Sequence, residues 1–236
     1  MKREYKFGNA RIPYELVESP NRKTVSIAVD PGGAVSIRSP SGLSKCRLEV
    51  ILRRKAPWIL CRRTELLSLG LPYVHDFVSG ESFPYWGRNY RLKLIRGARA
   101  HAALRGKRIG VAAPVGKGRR EQVRKAIRLW YARRAARRLP ARAAIWASKL
   151  GIPAPPVKIR DQCKRWGSCD SHGRLLLNWR IVMAPVSLID YIVAHEVCHL
   201  VRHAHGPEFW RLLERLLPDW KERRARLLRE GSRWSI

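Results

Sequence analysis

The chain has 236 residues, 45% of them hydrophobic, with 49 Lys or Arg against 18 Asp or Glu and a formal net charge of +31. That length and apolar content can bury a core without covalent staples, as one domain or a domain plus a lobe. The five cysteines are scattered with no Cys-x-x-Cys pair, the start Met1-Lys2-Arg3-Glu4-Tyr5-Lys6 lacks an apolar signal region, and no apolar run reaches 18 residues. These features exclude a disulfide framework and a membrane helix, so the expectation is a soluble, cytoplasmic protein.

Residues 1–115 read as a β-rich lobe with one helical insert. Val25, Ile27 and Val29 alternate, Pro31-Gly32-Gly33 turns the chain, and Val35 and Ile37 alternate back as a hairpin. Ser44 caps a helix carrying Leu48, Ile51 and Leu52, which Pro57 breaks or kinks before it resumes to about Leu69. A second hairpin has Phe83 to Trp86 and Tyr90-Leu92-Leu94 around Gly87-Arg88-Asn89, and a further strand covers 108–111. Tyr85, Trp86 and Tyr90 read as packing aromatics.

Gly116-Lys117-Gly118 marks the expected boundary to a second domain, 116–236. From Arg119 a helix places Ile127, Tyr131, Ala135 and Leu139 on one face; Pro140 interrupts it, and 141–150 continue to Gly151. This helix is expected to back the one described next. A strand over 157–160 precedes the loop Arg165-Trp166-Gly167-Ser168-Cys169, where Gly167 supplies a conformation and a close approach that other residues resist. Ser171-His172-Gly173 then turns into a strand from Arg174 to Trp179. No internal repeat is visible.

The most informative stretch is His195-Glu196-Val197-Cys198-His199, with His205 six residues further on. Two imidazoles four apart project from one face of a helix, about one turn apart, and can reach one metal ion; Glu196 lies beside that ion, placed to take a proton from bound water. Ser187 with Asp190 forms a capping-box-like start, and 188–201 contain no Gly or Pro. In an unbroken helix His203 would lie about 12 Å along the axis from His195. His205 is therefore favoured over His203 as third ligand, on the condition that the helix stops near Arg202 and Gly206-Pro207 turns the chain. Glu208 and Glu214 remain alternatives, since two histidines and a glutamate form the other common zinc set. Cys198 faces away as a buried apolar residue, and Cys163 and Cys169 are minor candidates for approaching the metal. The spacing matches metzincin proteases, but Arg202 replaces their glycine and both methionines, Met1 and Met183, lie upstream of where a Met-turn would fall.

Arg165-Trp166-Gly167-Ser168-Cys169, Leu177-Asn178-Trp179-Arg180, Ala184-Pro185, the His195–His199 motif, His205-Gly206-Pro207-Glu208-Phe209-Trp210 and Leu217-Pro218-Asp219-Trp220 together resemble the YgjP-like metal-dependent hydrolases, relatives of SprT and WLM zincins. A weaker likeness continues at Arg22-Lys23-Thr24-Val25-Ser26-Ile27, and Gly206 stands where that family usually has Ser. The resemblance implies an α+β fold, a zincin-like catalytic domain built on the HExxH helix and preceded by the β-rich lobe. It also implies catalytic zinc (Zn2+) held by His195, His199 and His205, with Glu196 as base. Members of that family are described both as metallopeptidases and as UTP pyrophosphatases.

The expected chemistry is metal-assisted hydrolysis. The leading substrate is a peptide or protein, added as an edge strand beside 175–178. The alternative is a nucleoside triphosphate clamped by Arg160, Lys164, Arg165 and Arg180. A third reading, a nucleic-acid-binding zinc protein, rests on the charge: residues 117–142 hold 11 Lys or Arg against Glu121 alone, enough for non-specific polyanion contact. Arg alternating with Ala and Leu on solvated helix faces explains that surplus as well.

Overall fold

The computed structural model describes residues 2–30, 32–68, 75–162, 165–234 and 236; Pro31, Leu69, Cys163 and Lys164 lie outside them. The chain forms two compact units, Met1–Tyr73 and Val74–Ile236.

The first unit is a sheet faced by one helix. Strands β1 (Lys2–Phe7), β2 (Ala10–Ser19), β3 (Ser26–Val29) and β4 (Val35–Pro40) lie in the order β1-β2-β4-β3, with β2 and β4 parallel and both outer pairs antiparallel. Ile12, Tyr14 and Leu16 alternate inward along β2, and α1 (Lys45–Ser68) lays Leu48, Leu52, Ala56 and Ile59 over that face. Pro57 sits inside α1 without ending it. A proline costs a helix interior about 3 kcal/mol. Burial of Leu52 and Ile59 on either side contributes about 1.5–3 kcal/mol each, so packing carries the helix through.

The second unit opens with β5 (Ser82–Tyr85), β6 (Arg88–Arg96), β7 (His101–Arg105) and β8 (Arg108–Ala113), followed by α2 (Arg119–Lys149). Their order, β5-β6-β8-β7, is again parallel in the middle and antiparallel outside. The four-strand-plus-helix succession of the first unit therefore recurs with the same topology. Residue identities do not reveal it, because strand alternation and turns can specify the same pairing with different side chains. Pro140 lies inside α2, which runs on past it because Ala135, Leu139, Ala143 and Ala147 form one buried row through that point.

Next come β9 (Val157–Arg160), β10 (Gly167–Cys169) and β11 (Leu175–Asn178) in the order β10-β11-β9, a 3-10 turn Trp179–Met183, and helices α3 (Val186–Cys198), α4 (Pro207–Leu216) and α5 (Trp220–Glu230). One core joins Tyr85, Leu92 and Val111 of the four-stranded sheet to Ile127 and Leu139 of α2 and to Ile189 and Val193 of α3. That shared core explains why the compact units divide at Tyr73/Val74 rather than at the 115/116 boundary suggested by the glycines. The β5–β6 turn is part of the same packing. It is built on Trp86 and Gly87, both at positive φ as a two-residue type I′ turn requires, one residue earlier than Gly87-Arg88-Asn89. The Trp86 N–H donates to the Val182 carbonyl at 2.7 Å, and a Cβ on Gly87 would stand 3.3 Å from Pro185 Cα.

The expected capping box on α3 does not form: Pro185 is the N-cap and makes no side-chain cap bond. Asp190 instead accepts from Arg142 Nε of α2 at 2.8 Å and from Trp146 Nε1 at 3.4 Å, tying α2 to the back of α3. Replacing Asp190 by Ala strands a largely covered guanidinium. Thermal unfolding should show a loss of about 2–3 kcal/mol, or a Tm lower by roughly 5–10 °C; an unchanged Tm would mean the pair does not brace the helices.

Candidate metal centre

α3 presents His195 in its last turn and stops at His199, its C-cap. Val201 and Arg202 N–H groups close back on the Cys198 carbonyl at 3.1 and 2.9 Å, after which the chain reverses and returns His205. Gly206, extended, and Pro207 at the first position of α4 launch the next helix. The condition on the helix end is thus met, a few residues earlier than Arg202.

The three imidazoles converge. His205 Nε2 is 2.9 Å from His195 Nε2 and 3.1 Å from His199 Nε2, and one ligand atom from each lies within 4.8 Å of the others. His199 Nδ1 sits 3.2 Å from the Arg202 carbonyl; since a carbonyl only accepts, Nδ1 carries the proton and Nε2 offers a lone pair. Burial first, then His199, His205 and Arg224, pushes His195 down to about 3. Burial likewise lowers His199. Neutral rings with facing lone pairs repel one another unless a cation lies between them. Tetrahedral zinc at about 2.0–2.1 Å from each nitrogen would set those nitrogens roughly 3.3 Å apart, close to the spacing here. The donor set fits a divalent ion. His195 Nδ1 is buried and has no partner among the described residues.

Phe209 was missed at the sequence level. Fully buried on α4, it touches His195, His199 and His205 with ring centroids 4.9, 4.6 and 4.7 Å away. Trp210 stacks on His205 at 5.5 Å, donates its Nε1–H to the His205 carbonyl at 3.0 Å, and stacks in turn on Trp220 at 4.5 Å. The signals the sequence carried for this are the apolar pair after Pro207 and its place in the His205–Trp210 stretch of the family resemblance.

Beside the histidines is a cleft of about 400 Å³, lined by Glu196, Arg165, Cys169 and Asp170 among others. Burial drives Glu196 up to about 7 against the opposing pull of Arg165. A Cβ on Gly167 would fall 2.7–2.9 Å from the Glu196 side chain. Gly167 does not have positive φ, so it is required for space and not for conformation. Gly167→Ala should displace the Glu196 carboxylate and lower kcat about 10–100-fold while leaving Tm nearly unchanged, since roughly 1 Å of misplacement can cost that much. An unaltered kcat would mean the carboxylate's position is not critical.

Several other candidates do not join the centre. His203 borders the cleft but is not part of the nitrogen cluster. Glu208 pairs with Arg202 at 2.9 Å and Glu214 with Lys221 at 3.6 Å. Cys169 lines the cleft without entering the cluster, and burial raises the Cys198 thiol to about 12, leaving it inert. Trp166 packs edge-on against Trp234. Of the four cations expected to ring the cleft, Arg165 lines it, Arg180 pairs with Asp161, and Arg160 borders a separate hollow beside α2.

The raised Glu196 sets a pH dependence in the metal-free protein. An acid whose folded pKa exceeds its unfolded value contributes stability that is fully present below about 4.5 and lost as pH climbs through about 7. Glu196→Gln carries no such charge. Chemical denaturation should find the two proteins equal below pH 4.5 and the variant more stable by up to about 3 kcal/mol above pH 7. A difference independent of pH would contradict burial of the charge.

A family model described as "YgjP-like, metallopeptidase domain" matches residues 23–230. Among solved structures, the metallopeptidase zymogen of Pyrococcus abyssi abylysin is similar at 23% identity and TM-score 0.38, over 42% of this chain and 99% of that one. No curated protein matches.

Proposed function

The chain belongs to the YgjP-like metallopeptidase family, and from that premise we propose that it is a zinc-dependent peptidase in which His195, His199 and His205 hold the ion and Glu196 is the general base. The observation that carries this is the convergence of three Nε2 atoms beside a buried carboxylate. When bound, zinc supplies Lewis acidity, lowering the pKa of water in its coordination sphere towards about 7 and polarising a carbonyl.

The chain's own residues do the rest. His199 holds its Nδ1 proton on the Arg202 carbonyl, which keeps Nε2 free and oriented. Phe209 and the Trp210–Trp220 stack exclude water from behind the imidazoles and fix the return of His205. Glu196, whose pKa burial raises in the metal-free protein, accepts a proton on its carboxylate at one stage and releases it to the leaving amine at the next. Arg165, which lines the same cleft, lowers the pKa of that carboxylate against the effect of burial.

Substrate placement differs from the expectation at 175–178. β11 is the middle strand, bonded on both sides, whereas β10 is an outer strand whose residues line the cleft. A peptide in extended form would pair along Gly167–Cys169. Of the cations weighed for the nucleotide alternative that lie among the described residues, Arg160, Arg165 and Arg180, Arg165 lines the cleft. The test is a cleavage assay on a reduced, carboxymethylated protein alongside pyrophosphate release from UTP, each with and without a chelator and with zinc restored. Chelator-sensitive, zinc-restored proteolysis supports the proposal. Zinc-dependent pyrophosphate release without proteolysis sinks it.

A further inference from the structure

The first unit contains a groove that the catalytic chemistry does not use. About 800 Å³ in volume, it is bounded on one side by the Lys23–Val25 segment and Ile27 of β3, and on the other by one face of α1 with Arg47, Ile51, Arg54 and Trp58. Among the described residues β3 is an outer strand, paired only with β4. The Asp30 N–H donates to the Ala34 carbonyl at the hairpin end, which sets the register of the antiparallel ladder. Ser26 and Ala28 therefore bond to β4, while Ile27 and Val29 direct their N–H and C=O groups away from it. Their side chains, with Val25, point towards α1 and stay only half-buried, and Trp58 remains 48% exposed.

In the second unit's copy of the same topology, the equivalent outer strand β7 packs against α2 and Ala102 is buried there. The first unit has the matching place uncovered: an open backbone edge, an aliphatic floor and a half-exposed tryptophan. Lys23, Arg47, Arg54 and Lys55 border it, no acid does, and none of the four has a carboxylate partner among the described residues.

We infer that this groove binds an extended acidic peptide segment, which adds as a fifth strand to β3 with apolar side chains on Val25, Ile51 and Trp58 and carboxylates against the four cations. A strand that pairs with Ile27 and Val29 satisfies their open backbone groups, and period-two alternation sends every second side chain towards α1, where apolar ones meet the floor and acidic ones the Arg47, Arg54 and Lys55 cations. Charge complementarity selects acidic over basic sequences. Single-stranded nucleic acid is the weaker occupant, because it relies on successive stacking platforms and only Trp58 offers a ring here.

The test uses the full-length chain as Glu196→Gln, so that no probe is consumed. A fluorescent peptide of about ten residues, with valine and glutamate taking turns at the odd positions and threonine at the even ones, is titrated by anisotropy. Its competitors are the lysine-for-glutamate peptide, the same peptide with alternate amides N-methylated, and an oligothymidylate of similar charge. Expected are saturable binding of the acidic peptide, about tenfold weaker binding on N-methylation, and no measurable binding of the lysine peptide. Arg47→Glu with Arg54→Glu should weaken binding about tenfold and Trp58→Ala several-fold, whereas Arg133→Glu with Arg137→Glu on α2 should change it less than twofold. The peptide-side changes stand even if a groove variant fails to fold. Equal binding of the N-methylated peptide, equal loss from the α2 reversal, tighter binding of oligothymidylate through the groove, or no peptide binding at all would each overturn the inference.

Discussion

Glu196→Gln should abolish most turnover while leaving the metal in place: kcat down by about 10²–10⁴, bound zinc still near one equivalent per chain. That span corresponds to about 3–5 kcal/mol of transition-state stabilisation. The amide has nearly the same shape, so the histidine cluster and the approach of Gly167 are preserved, but it cannot accept a proton. A bound cation opposes the burial that lifts Glu196 to about 7 in the metal-free protein, so the wild-type pH profile should have its acid limb below that value, and the residual activity of the variant should lack that limb. Metal analysis beside initial rates across pH 5–9 decides the matter. A variant that keeps wild-type turnover would remove Glu196 from the mechanism, and one that loses its metal would show the residue to be structural.

His205→Ala should lower zinc affinity by well over the 10–100-fold typical of losing an outer-shell partner, and proteolysis should fall to background. His203→Ala, two residues away and outside the nitrogen cluster, should retain full metal content and rate. The paired comparison is sharp because both residues lie in the same turn, so general damage to that turn would affect both. Competition with a chromophoric chelator measures the affinities. If His203→Ala loses the metal and His205→Ala keeps it, the ligand assignment is reversed.

Much of the centre could be read from residue spacing. Positions four apart on a helix lie on one face whatever surrounds them, so the spacing alone predicts that His195 and His199 face together and that His205 can join them once the helix stops, which is the clustering of the three rings found here. Phe209 and Trp210 could not be placed in this way, because nothing in an apolar pair after Pro207 says which rings it will meet. Asp190 misled for a similar reason: its distance from Ser187 satisfies a local capping pattern, but the Arg142 guanidinium, 48 positions away in sequence, offers a stronger, charged partner. Pro57 and Pro140 misled because local helix cost was weighed without the burial that outweighs it.

The two four-stranded sheets show the same division. Alternation marked several of the strands, yet β11 as a middle strand and β10 as the outer one beside the cleft depend on pairing between segments that no local pattern orders. The shared topology of the two units is likewise invisible residue by residue.

What the sequence by itself determined was the set of groups able to take a metal and a proton, their helical periodicity and the family to which they point, because side-chain chemistry and 3.6-residue geometry are local properties. What only the tertiary structure decided was which groups share a cleft, where the compact units divide and which strand edges remain open, because burial, charge pairing and sheet order arise from contacts between segments far apart in the chain.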